Sequence, residues 1–327
     1  MKKIVFIIPY FGEFPNYFHL FLNSCKNNPK YTWFILTDNI KKYEYPENVK
    51  VKYLTFEELR KKIQMKFKFK ISLETPYKLC DYKPAYGYIF EDEIEEYDWW
   101  GHCDIDLIFG DLTNFINDTL LENYKKLFIL GHLTLYENTK INNRVFMSKV
   151  NGKKYFEDVF RNSENYIFDE LYNKSINNIY NFLKIPYYKN ILCADIYTKS
   201  SKFKIVENYE EQSKKYKIKN HKKNFFVYDY GKIKEIYLED SQWIIKEYMY
   251  IHLQKRKMKV KKIDNINYFK IIPNEFSNLE ISNLFSNNLK NIDKIKKYKI
   301  NCHYFLLRSK NLIKKIKNKL RKIGVIV

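Results

Sequence analysis

The chain has 327 residues, 45% hydrophobic and 18% aromatic, which excludes general disorder and allows a large core without metal or disulfide staples. Its eight glycines (12, 87, 101, 110, 131, 152, 231, 324) form neither G-x-G-x-x-G nor G-x-x-x-x-G-K, so the usual dinucleotide fingerprint and the P-loop are absent. The formal charge of +21 is uneven: residues 255–327 carry 20 Lys/Arg against 4 Asp/Glu, a net +16, while residues 1–254 carry 39 against 34.

Taken in chain order, Ile4–Tyr10 reads as a first buried strand, since its apolar run stops at Pro9 and is too short for a signal segment. Asn16–Asn28 repeats Phe18, Phe21, Leu22 and Cys25 at helical spacing. Trp33–Thr37 and Val49–Leu54 read as strands. Phe56–Phe67 reads as a helix with Phe56, Leu59, Ile63 and Phe67 on one face and Glu57 and Glu58 in its first turn. Leu79–Tyr97 is expected to be helical beyond Pro84, and Trp99–Ile108 to enclose another strand. This alternation argues for an α/β domain around a mainly parallel sheet flanked by helices.

Further on, Tyr166–Leu183 reads as a helix opened by Asp169 and Glu170. Asn224–Tyr230 and Ile233–Leu238 flank Gly231-Lys232 as a small hairpin region, and Tyr248–Leu253 and Tyr268–Ile272 read as strands. The expected organisation is one domain over residues 1–275 and a basic helical tail over 276–327. In that tail Leu312, Ile313, Ile316, Leu320 and Ile323 recur at steps of three and four among eight basic residues, with no acid between 305 and 323. A basic amphipathic helix suits an anionic membrane surface, or it docks its stripe on the domain with solvated lysines. No apolar run approaches the eighteen residues of a bilayer span. No motif points to nucleic acid. The five cysteines (25, 80, 103, 193, 302), odd in number and without C-x-x-C, read as reduced thiols of a cytoplasmic protein.

The segment most informative about chemistry is YDWWGHCDIDLIFGD, residues 97–111. Asp104 and Asp106 are one residue apart, so a regular strand turns both to one face, and at a strand end they can converge on one cation. Two acids among Ile105, Leu107, Ile108 and Phe109 are costly to bury unless a cation or a donor satisfies them. Mg²⁺ or Mn²⁺ accepts such oxygen ligands. The plain alternative is solvated acids on a loop.

IVFIIPYFG, FILTDN and a D-x-D after an apolar strand are similar to the GT-A glycosyltransferases. More closely, PYKLCDYKPAYG, YDWWGHCDIDLIFGDL, GHLTLYENT, FDE and YIHLQKR resemble a bacterial glycosyltransferase family associated with lipopolysaccharide or capsule synthesis, over residues 4–275. The resemblance implies a GT-A-like, Rossmann-type sheet and a nucleotide-sugar donor held through Mn²⁺ or Mg²⁺ on its diphosphate. It also implies a glycan or lipid-linked glycan acceptor, and a place at the cytoplasmic face of the inner membrane, reached through the basic tail. Asp104 and Asp106 would bind the metal, with His252 as the late histidine such enzymes often use; a lone histidine is also often structural.

A fainter likeness to transferases with S-D-x-x-R before their D-x-D makes Asp81 and Lys83 donor-site candidates, although Cys80 and Pro84 stand where Ser and Arg would be. Lys255 and Arg256 are available to a departing diphosphate. Pro9 and Tyr10 end the first strand, where such sheets bind ligands, and Asp38 could accept from a ribose or base or cap a turn. His102 could supplement the metal shell or pack on Trp99 or Trp100, and His132 could face the acceptor. Asp169 and Glu170 are where a catalytic base is expected; both could equally favour a helix N-terminus. Competing readings are another divalent-metal phosphotransferase (nucleotidyl- or phosphoglycosyl-transfer) and a non-enzymatic basic binding protein.

Overall fold

A computed structural model describes residues 2–170, 173–197, 200–210 and 215–279, and beyond these residues 292, 294–297, 305–306, 309–310, 312–313 and 316. In chain order the elements are β1 (Ile4–Pro9), α1 (Phe18–Lys26), β2 (Tyr31–Thr37), β3 (Val49–Tyr53), α2 (Phe56–Lys66), α3 (Leu79–Tyr82), α4 (Tyr86–Ile89), β4 (Trp99–Cys103) and β5 (Leu107–Phe109). Then come α5 (Asp118–Asn123), β6 (Lys126–Leu130), β7 (Leu133–Glu137), α6 (Tyr155–Arg161), α7 (Ile176–Phe182), β8 (Tyr187–Tyr188) and β9 (Leu192–Ile196). The remainder is β10 (Phe203–Glu210), β11 (Lys215–Lys219), β12 (Lys222–Asp229), β13 (Lys232–Glu239), β14 (Gln242–Tyr248), β15 (Tyr250–His252), β16 (Lys259–Val260), β17 (Tyr268–Ile272) and β18 (Glu275–Ser277).

The fold is mixed α/β, built on three sheets. The first has the order β3-β2-β1-β4-β7-β6-β8. β1 pairs in parallel with both β2 and β4, and its side chains alternate between two cores. Ile4, Phe6 and Ile8 enter one core with α1, while Val5 and Ile7 enter the other with α2 and the 79–97 segment. Burial on both faces is why this strand is continuously apolar. The expectation of a mainly parallel sheet holds for β3-β2-β1-β4 and for the edge pair β6-β8, with antiparallel pairing between them. β7 runs antiparallel to both β4 and β6, and the two-residue connection Gly131-His132 between β6 and β7 allows only a hairpin there.

The second sheet, β11-β10-β9-β15-β5, and the third, β14-β13-β12-β17-β18-β16, are predominantly antiparallel. The Gly231-Lys232 hairpin is present as β12–β13, one pair of this larger third sheet. The boundary expected after residue 275 falls inside β18. Ile292 and Ile295, beyond it, are buried against Phe225, Val227, Ile236 and Ile272.

Local chemistry explains several elements. Thr55 Oγ1 accepts from Glu58 N at 3.2 Å while Glu58 Oε2 accepts from Thr55 N at 2.7 Å, a reciprocal cap that starts α2 where the sequence expects it. The long helix expected after Pro84 is instead a chain of short turns. Gly87 lies so close to Trp100 that a Cβ there would sit 2.3 Å from the indole, so the segment is shaped by packing on β4. The helix expected over 166–183 begins only at Ile176, and Asp169 and Glu170 lie in the preceding turn. The strand expected over 99–108 is two strands, in different sheets, interrupted at Asp104-Ile105-Asp106.

Among the described residues no helix is long and apolar enough to cross a membrane, and Cys25, Cys80, Cys103 and Cys193 are free thiols. The basic helix expected over 305–323 lies mostly outside the described residues. Those described there are helical and exposed, Leu312, Ile313 and Ile316 among them.

Candidate functional site

The C-terminal ends of the parallel strands β1 and β4 open into a cavity of about 650 Å³, the size of a small-molecule site. Pro9 and Tyr10 form one wall, and Lys83, Asp104 and Asp106 another. Lys255 and Lys257 reach it from the segment after β15.

The chain leaves the first sheet at Cys103, turns through Asp104-Ile105-Asp106 and joins the second sheet as β5. There Leu107 faces His252 across the antiparallel pairing with β15. This exchange of sheets, rather than strand alternation, brings both carboxylates to one imidazole. His252 Nε2 lies 3.5 Å from Asp106 Oδ2 and 3.9 Å from Asp104 Oδ2. One ligand atom from each of the three residues falls within 4.8 Å of the others. Asp106 and His252 are buried, whereas the Asp104 side chain is 25% exposed toward the cavity. Two hard oxygens and one imidazole nitrogen, partly open, match the chemistry of Mn²⁺ or Mg²⁺, so the residues present fit the metal.

Backbone geometry supports the group. Gln254 and Lys255 both have positive φ, 55° and 51°. Left-handed backbone at two consecutive non-glycine residues is strained. Here it turns the Lys255 N–H onto Asp106 Oδ2, while Leu253 N donates to Asp106 O at 2.9 Å.

Lys83 donates to Asp104 Oδ1 at 2.6 Å and to Gly131 O at 2.8 Å, and is ion-paired with Asp169 Oδ2 at 3.4 Å. Burial pulls this ammonium down, but Asp104, Cys80 and Asp169 outweigh it and hold its pKa well above the ordinary lysine value. Conversely, burial pushes Asp104 up, and Lys83 followed by His252 brings it below the usual carboxylate range. Lys83 therefore lines the cavity and compensates the carboxylates.

Other expected site residues have different places. Asp81 does not line the cavity. It is fully buried, paired with Lys78 Nζ at 2.8 Å, and accepts from Tyr166 N and Phe168 N, each at 2.9 Å. The expectation of a donor contact there is corrected: this carboxylate ties the 164–168 segment to α3. Asp38 accepts from Gly12 N at 2.7 Å and braces the loop after β1 without lining the cavity. Arg256 touches the cavity wall, but its guanidinium is spent on Asn274 Oδ1 (2.8 Å), Tyr197 O (2.5 Å) and Ser200 O (3.1 Å). Its neighbours Lys255 and Lys257, by contrast, are exposed and line the cavity.

Asp169 and Glu170 do not line the cavity either. Glu170 Oε2 accepts from Gly131 N at 3.2 Å, and Asp169 reaches the cavity only through Lys83. Burial raises the Asp169 carboxyl to about 7, against the opposing pull of Lys83 and with the help of Glu170. A base that takes a proton directly from a ligand in the cavity is therefore not what this position provides; it holds a carboxyl that titrates near neutrality against Lys83. His132, expected to face an acceptor, is buried and stacks on the His252 ring, centroids 4.3 Å apart. His102 is fully buried, packs near the rings of Tyr86 and Tyr136, and is not part of the converging set.

Sequence reading passed over Asp195 and Lys257. Asp195 lies on β9 opposite His252, within LCADI, and an acid inside an apolar strand is the same signal that marked Asp104 and Asp106.

A family model described as a family of unknown function (DUF6625) matches residues 6–280, which takes in nearly the whole of the three sheets and ends before the basic segment 305–323. No curated protein matches the sequence.

Proposed function

Since the chain belongs to this family of unknown function, its reaction has to be read from its own residues, and we propose a metal-dependent glycosyltransferase acting from a nucleotide-sugar donor. The observation that carries the reading is the convergence of Asp104, Asp106 and His252 on one point beside a cavity at the ends of β1 and β4. The parallel order β3-β2-β1-β4, followed by antiparallel β7, supports a GT-A-like arrangement in which the D-x-D ends the central strand. The acceptor class, a lipopolysaccharide or capsule glycan, rests on sequence resemblance.

In this reading Asp104, Asp106 and His252 hold Mn²⁺ or Mg²⁺, which when bound offsets the charge of the donor diphosphate. Lys255 and Lys257, exposed on the cavity wall, meet the outer phosphate oxygens and stabilise the negative charge that grows as the sugar leaves. The Pro9-Tyr10 backbone and the rings of Tyr10 and Phe14, stacked at 5.4 Å, offer the apolar end of the cavity to the base. Lys83 holds Asp104 in place and keeps that carboxylate ionised without a bound cation.

A thermal-shift screen of nucleotide-sugars with and without Mn²⁺ tests the proposal. One donor is expected to raise the melting temperature only when Mn²⁺ is present, by mass action on the folded state. Products then decide the reaction: free nucleoside diphosphate supports sugar transfer, whereas pyrophosphate would assign nucleotidyl transfer and reject it.

The basic segment 305–327 is proposed to hold the enzyme at the anionic inner face of the membrane, near a lipid-linked acceptor. Each basic residue close to such a surface contributes about 1 kcal/mol. The full chain is expected to sediment with phosphatidylserine vesicles, less so at high salt, and a chain ending at residue 304 to remain in the supernatant. Equal partitioning of the two would remove the membrane role.

A further inference from the structure

His252 carries two clusters, one on each ring nitrogen. Nε2 faces Asp104 and Asp106, and Nδ1 lies 3.4 Å from Asp195 Oδ1. The contact follows from strand register: β15 runs parallel to β9 with His252 opposite Asp195. Asp195 is 2% exposed and is itself fixed. Lys204 Nζ lies 2.6 Å from its Oδ2, and the Gln254 amide donates to both its oxygens at 2.8 and 2.9 Å. The same amide nitrogen is 3.2 Å from His252 Nδ1. Because that amide donates to Asp195, the acceptor left for an Nδ1 proton is the carboxylate. His132, stacked at 4.3 Å with 22° between the planes, closes one face of the ring.

Ligand atoms of His132, Asp195 and His252 also lie within 4.8 Å of one another. A second cation there would have to compete with Lys204 and the Gln254 amide for Asp195 and share the His252 ring with the first. The close lysine and the amide make Asp195 an already neutralised carboxylate, which suits an orienting partner and not a ligand.

We propose that Asp195 is a positioning residue which, held by Lys204 and Gln254, fixes the His252 proton on Nδ1 and so presents the Nε2 lone pair to a divalent cation between Asp104 and Asp106. This rests on the metal reading given above. A carboxylate behind a histidine ligand both orients the ring and raises its basicity, and losing such a partner typically weakens metal binding by about 10–100-fold.

The test is a Mn²⁺ titration of the full-length chain followed by electron paramagnetic resonance, with spin-echo modulation reporting nitrogen coupling to the bound ion. The wild-type protein is expected to bind Mn²⁺ with one coupled nitrogen. Asp195→Asn should raise the dissociation constant by about 10–100-fold and weaken the nitrogen coupling, and Asp195→Glu should recover part of both. Should Asp195→Asn fail to fold, Gln254→Leu keeps the buried Asp195–Lys204 pair and removes the amide; a loss of about tenfold is expected, at the low end of that range. If the folded variants bind Mn²⁺ as tightly as wild type with unchanged nitrogen coupling, the positioning role is overturned and the metal site stands. If the wild-type chain binds no Mn²⁺, the metal reading itself falls, and the role of Asp195 with it.

Discussion

Replacing Asp104 and Asp106 together by Asn is expected to abolish Mn²⁺-dependent nucleotide-sugar binding, with a loss beyond the roughly 100-fold upper range seen for outer-sphere partners of a metal. The substitution keeps shape and removes two negative charges from a cluster whose third member is His252. An asparagine at 106 can still accept the Lys255 N–H, so the strained turn after β15 keeps its anchor. Lys83 loses its Asp104 salt bridge but retains Gly131 O and Asp169. The variant should therefore remain folded, and a melting curve recorded beside a calorimetric Mn²⁺ titration separates loss of structure from loss of binding. Retained Mn²⁺-dependent donor binding in the double variant would reject the metal role.

Asp81→Ala is expected to lower stability by about 3–5 kcal/mol, the usual cost of leaving one partner of a buried ion pair uncompensated. Lys78 and Asp81 have side chains only 2% and 0% exposed, and the carboxylate also satisfies two backbone N–H groups of the 166–168 stretch. Removing it strands an ammonium and two amide donors in the interior. The melting temperature should fall by on the order of 10 °C. Combining Asp81→Ala with Lys78→Met, which takes away the stranded charge, should restore part of the loss. A donor-contacting aspartate would behave in the opposite way, with weakened donor binding at unchanged melting temperature.

That contrast marks how far the sequence could be read. Short strongly apolar strands such as Ile4–Pro9, and a capped amphipathic helix such as Phe56–Lys66, were legible because their signals are local. The Asp104-x-Asp106 pair and His252 were legible as candidates through residue type, apolar context and resemblance. Their geometry was not, because it depends on a strand that changes sheets at residue 104 and on pairing across nearly 150 positions. Asp81 and Arg256 misled for a related reason. A charged residue near a site looks the same in sequence whether it faces ligand or, as here, is consumed by Lys78 in one case and by backbone carbonyls in the other. Asp195 carried the same signal of an acid in an apolar strand, but its partner is set by register with β15, which the sequence does not display. The early helix expected at 166 failed because those residues are held in a turn by Asp81.

The seam between Leu107–Phe109 and Tyr250–His252 also bears on how the protein is made. Gly110 sits against it so tightly that a Cβ would come within 2.5 Å of Tyr248 O, so the seam admits no side chain there. During translation the two acidic residues leave the ribosome nearly 150 codons ahead of the imidazole that completes their cluster. A nascent chain arrested before residue 250 would thus carry the strands of the first sheet without the imidazole of the cluster. The cluster is complete only after β15 has inserted between β5 and β9, and under the proposed reading a cation can be held only from that point.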